Sequence, residues 1–76
     1  MNKARRKELA EITTQLQDLR ERIEQLQQEE QEGFENLPEG LQQGERGQAM
    51  EQAAEQMGTA LDSIDEAVQA LEEAQS

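Results

Sequence analysis

The chain has no cysteine, no histidine, no tryptophan and no tyrosine, and it holds a single phenylalanine, Phe34, and a single proline, Pro38. Without cysteine there are no disulfides and no thiolate metal sites. Without histidine, the commonest metal ligand and the side chain that titrates near neutral pH are both missing. Almost no aromatic residues are left to stack on bases, as RNA-binding modules require. Long apolar runs are absent too: no stretch approaches the ~18 residues that a membrane helix needs, so no membrane span is expected. The basic opening Met1-Asn2-Lys3-Ala4-Arg5-Arg6-Lys7 is like the first region of a secretion signal. Glu8, Glu11 and alternating polar residues, however, stand where the apolar region would follow. The expectation is a soluble, cytoplasmic protein.

Positive charge is scarce beyond the amino end. The 7 Lys and Arg face 18 Asp and Glu, a net charge of −11. Residues 1 to 22 carry six basic and four acidic groups, whereas residues 23 to 76 carry one and fourteen. An acidic body repels phosphate backbones, so direct nucleic-acid binding is not expected outside the amino end.

Seventy-six residues make at most one domain, with a core that must be compact or completed by a partner. A hydrophobic content of 33% sits near that of disordered chains, and only patterning argues for order. The pattern is regular. Leu9, Ile12, Leu16, Leu19, Ile23 and Leu26 follow at steps of three and four, as the a and d positions of a heptad. Good helix formers fill the places between them. This predicts a first helix from about residue 3 to about residue 32, ended by Gly33. A second seam runs through Met50, Ala54, Met57, Leu61, Ile64, Val68 and Leu71. It predicts a helix from about 45 to about 74.

Between them, residues 33–44 read as the connection. Asn36 caps a short turn opened by Pro38, and Phe34, Leu37 and Leu41 plug the end. Two helices of about 30 residues reach roughly 45 Å each at ~1.5 Å per residue, so they match as arms of an antiparallel pair. In that pairing Lys3, Arg5, Arg6 and Lys7 come beside Glu72 and Glu73. The fold expected is all-α: an antiparallel helical hairpin of two long amphipathic helices.

Beside the second seam lies a stripe of small residues, Ala53, Ala60, Ala67 and Ala74, spaced by seven. Two helices give a thin core, and small scaffolds without disulfides or metals often associate. A homo-dimer forming a four-helix bundle is therefore expected, with this Ala stripe at a helix contact.

The chemical inventory is poor. The carboxylates crowding Glu29, Glu30, Glu32 and Glu35 read as a solvated acidic face, since no calcium-loop spacing accompanies them. Ser63-Ile64-Asp65-Glu66 matches a capping box, but the heptad phase passes through it undisturbed and favours a continuous helix. Met50 and Met57 read as core filling before an adaptable groove. No nucleophile elbow, phosphate loop or buried acid–base pair is legible, so neither an enzyme nor a cofactor is expected.

The loop string Phe34-Glu35-Asn36-Leu37-Pro38-Glu39 with Leu41-Gln42 and Glu45-Arg46-Gly47, set between two acidic heptad helices, resembles short uncharacterised proteins of Gram-positive bacteria and their phages. That resemblance implies a mobile-element setting and no particular activity. Two functions compete on the residues themselves. The first is a protein–protein interaction or structural module that self-associates and docks an unknown protein partner through Phe34, Leu37, Leu41 and Arg46. The alternative is an acidic mimic of nucleic acid that occupies the groove of a host nucleic-acid-binding protein.

Overall fold

A computed structural model of the chain describes residues 1–76. Three helices occur in the order α1 (Lys3–Glu35), α2 (Glu39–Gln42) and α3 (Glu45–Gln75), with no strand. The long helices α1 and α3 pack side by side as a helical hairpin, and α2 is a single turn in the connection that packs on α3. The result is a rod of 58 × 15 × 13 Å.

Local chemistry accounts for the helix ends. Asn2 caps α1, its Oδ1 accepting from the Arg5 N–H at 2.8 Å and so satisfying one of the amide groups left free in a first turn. Gly33 does not stop α1, which continues three residues past the end that the sequence suggests. No glycine in the chain adopts positive φ, so none forms a left-handed helix cap. Gly33 faces Met50 instead, where a Cβ would come within 2.8 Å of the Met50 Cε. Asn36 is the C-cap of α1, its backbone N–H bonding to the Glu32 carbonyl at 3.0 Å, and the next amide, that of Leu37, bonds to the Phe34 carbonyl at 3.1 Å. Pro38, with φ −56° and ψ 145°, then leads into α2 as its N-cap. Helix α3 runs unbroken through Gly58 and Ser63.

The seam on α3 is the one its spacing predicts. Ala54 and Leu61 are buried, and Met50, Met57, Ile64, Val68 and Leu71 are half-buried beside them. On α1 the seam is rotated. Leu9, Leu16 and Ile23 face α3, but the alternating positions are Thr13, Arg20, Gln27 and Phe34, each one residue beyond Ile12, Leu19, Leu26 and Gly33. Polar bonds hold this rotated face. Thr13, buried at 6% exposure, donates its hydroxyl to the Leu9 carbonyl and accepts from Gln75 Nε2 at 3.5 Å. Gln27 Nε2 donates to the Ala54 carbonyl at 3.0 Å. Arg20 grips Asp65 with two parallel bonds, Nε to Oδ1 at 2.5 Å and Nη2 to Oδ2 at 3.1 Å, while Nη1 reaches Glu24 at 2.6 Å. A bidentate fork of this kind fixes both distance and angle.

The Arg20 fork lowers the Asp65 pKa below the ordinary carboxylate range, the hydrogen bonds outweighing desolvation, and raises that of Arg20. For a carboxylate with a lowered folded pKa, the stabilising contribution is complete above the unfolded value of about 4 and is lost as pH falls through the folded one. Acid also discharges the other carboxylates, so a difference between variants isolates this pair. Between pH 7 and pH 2, Asp65→Asn should lose less stability than the unmodified chain in urea unfolding; equal losses would remove the pair from the pH response.

Gln75 at the end of α3 reaches only as far as Thr13, so the first turns of α1 project past the neighbouring helix. Lys3, Arg5, Arg6 and Lys7 therefore do not pair with Glu72 and Glu73, and both ion pairs of the structure belong to Arg20.

Candidate interaction site

Two regions gather the residues singled out by the sequence. At the closed end, Phe34 and Leu37 are half-buried, whereas Leu41, at 57% exposure, and Arg46 face solvent. The side-chain amide of Gln42 holds this end together, donating to the carbonyls of Phe34 at 3.2 Å and Leu37 at 3.1 Å. Phe34 and Leu37 thus seal the turn, and Leu41 and Arg46 are left free. Met50 lies with Phe34 and Ala54 along an open cleft edged by Glu35, Glu51 and Glu55. No group of three or more acidic side chains is arranged to hold a metal ion.

The second region is a long face. Because α1 turns Thr13, Arg20 and Gln27 toward α3, the apolar residues immediately before them are left outside. Ile12, Leu19 and Leu26 are 38%, 46% and 56% exposed. On α3 the residues immediately before Ala54, Leu61, Val68 and Gln75 are Ala53, Ala60, Ala67 and Ala74, of which the last three are exposed and Ala53 is half-buried. Both rows precede a seam position in the same sense. In an antiparallel pair, reversing the chain and turning the helix to face its neighbour cancel, so both rows lie on one side of the hairpin. Glu24 and Asp65, which follow seam residues, lie on the other side and there meet Arg20.

On α3, charge is kept off this side. Helical spacing puts Ala49, Gln56, Ser63 and Ala70 next to the Ala row, all exposed and uncharged. Between Ala49 and Ala74 the acidic residues of α3 (Glu51, Glu55, Asp62, Asp65, Glu66, Glu72 and Glu73) fall at other positions of the heptad. Only Arg46, seven residues before Ala53, adds charge in line with the row. On α1 the flanking positions Glu8, Gln15, Arg22 and Glu29 edge the Ile–Leu row.

The sequence placed the Ala residues on this face but read Ile12, Leu19 and Leu26 as seam. The signal that separates them is polar: Arg20 and Gln27 each have a partner on α3 at the right height, a match that hydropathy does not register. The chain matches no family model, no curated protein and no solved structure.

Proposed function

We propose that this chain is a self-associating protein–protein interaction module, two hairpins of which join as a four-helix bundle. The observation that carries this reading is the exposed row Ile12, Leu19 and Leu26 on the same side as the uncharged Ala row, in a chain whose only buried apolar side chains are Ala54 and Leu61. Exposed apolar side chains scattered singly are ordinary, but rows continued along two helices mark an interaction surface. Pairing there would leave the carboxylates in water and the loop end open. Leu41 and Arg46, exposed and not needed for the turn, would then serve to dock a different protein.

Sedimentation equilibrium tests the pairing. A dimer mass is expected at tens of micromolar protein. Because each copy carries −11, association should tighten as sodium chloride is raised from about 50 to about 500 mM, where the Debye length shortens from roughly 14 Å to about 4 Å. A monomer mass throughout that range would refute the proposal.

A further inference from the structure

We infer that the second copy docks about a two-fold axis parallel to the helices, seating the Ile–Leu row of each α1 on the Ala row of the other copy's α3. The inference rests on the self-association proposed above and specifies its geometry.

Three observations support it. The first is register. The Arg20–Asp65 and Gln27–Ala54 bonds and the Gly33–Met50 approach fix which residues of α1 and α3 stand level. Ile12 then lies between the levels of Ala67 and Ala74, Leu19 between those of Ala60 and Ala67, and Leu26 between those of Ala53 and Ala60. A two-fold along the rod preserves these levels from one copy to the other. Each large side chain of α1 thus meets a hollow between two alanines of the opposing α3, as knobs meet holes. No sliding is required.

The second is charge. A two-fold perpendicular to the rod would set α1 against α1 in reverse about Leu19, and would bring Glu8 of each copy toward Glu29 of the other. The parallel axis instead sets the flanking residues Glu8, Arg22 and Glu29 against the uncharged Ala70, Ser63, Gln56 and Ala49. It also brings Arg5, which continues the Ile–Leu row, to the carboxyl end of the opposing α3. There the free carbonyls carry partial negative charge.

The third is area. A face of 58 by 15 Å offers on the order of 800 Å² per copy, the amount each partner contributes to a stable interface. Large side chains over small ones also keep the two layers evenly spaced, whereas Leu over Leu beside Ala over Ala would wedge them apart.

The chain has no cysteine, so a spin label on Lys3→Cys reports one site per copy. Pulsed dipolar spectroscopy on the dimer should give a short separation, roughly 20 Å, since both amino ends share one end of the bundle. A separation approaching the 58 Å length of the rod would overturn the parallel axis while leaving the dimer standing. A monomer mass with no intermolecular coupling would overturn the dimer itself. As a second arm, Ala67→Leu fills the hollow between Ile12 and Leu19 of the other copy. It should weaken association at least tenfold with helicity kept; unchanged association would overturn the seating.

Discussion

Leu19→Asp should turn the proposed dimer into a monomer, with affinity lost by a factor of about a thousand or more. By symmetry the substitution enters the interface twice. Each copy forfeits roughly 2 kcal/mol of apolar burial and brings a carboxylate into the contact. Even without the charge term, about 4 kcal/mol corresponds to roughly three decades in affinity. The hairpin itself has little to lose directly, because Leu19 is 46% exposed and turned away from the α1–α3 seam. A change of helix propensity there amounts to about half a kcal/mol. Sedimentation equilibrium at micromolar concentration checks the mass and far-ultraviolet circular dichroism the helicity. Retention of the dimer mass would dismiss the Ile–Leu row as the contact surface.

Gly47→Ala should destabilise the fold by about 2 kcal/mol, against the usual direction of such a change. In an exposed helix interior, replacing Gly by Ala gains up to about 1 kcal/mol. Here a Cβ at position 47 would run into the backbone of Gln42, lying 2.6 Å from its Cα and carbonyl carbon and also against its carbonyl oxygen. Backbone cannot swing aside as a side-chain tip can, so α2 would have to lift from α3. Gln42 would then withdraw its amide from the Phe34 and Leu37 carbonyls that it holds. Overpacking of this sort costs about 1 to 3 kcal/mol, with the lost hydrogen bonds added. Gly40 is the control, because a Cβ there meets nothing within 4 Å, and Gly40→Ala should be neutral or mildly stabilising. Urea unfolding of the two variants settles the comparison. Equal stabilisation of both would mean that the turn is not packed as described.

The hairpin and its α3 seam were legible in spacing alone, because Met50, Ala54, Met57, Leu61, Ile64, Val68 and Leu71 are the apolar residues of that helix that best fit one line. On α1 two heptads overlap. They share Leu9, Leu16 and Ile23 and differ in whether Ile12, Leu19 and Leu26 or Thr13, Arg20 and Gln27 complete the line. Hydrophobic counting prefers the first, and the structure adopts the second. What decides is pairing at a distance, since Arg20 needs Asp65 and Gln27 needs the Ala54 carbonyl, forty-five and twenty-seven residues away. Such matches become visible only when the two helices are set side by side.

The glycines show a similar limit. Gly33 reads as a helix stop but sits inside α1 where Met50 approaches closely, and for Gly47, within the helix that the spacing predicts, nothing in the sequence signals the close approach of Gln42. For the proposed interaction face, the place of the Ala row beside the α3 seam was legible from its spacing of seven. Its companion row on α1 was not, because the same three residues served equally well as core.

The build of the chain also sets its tempo. Of the 64 backbone hydrogen bonds, 56 lie within helices, and one short connection brings the long arms together. Closing a segment of about ten residues takes on the order of 10 to 100 ns, and helices of this size grow within about a microsecond. With so few distant contacts to assemble, the arms should meet early, and opening should begin at the end far from the connection, around Thr13 and Gln75, before it reaches Ala54 and Leu61.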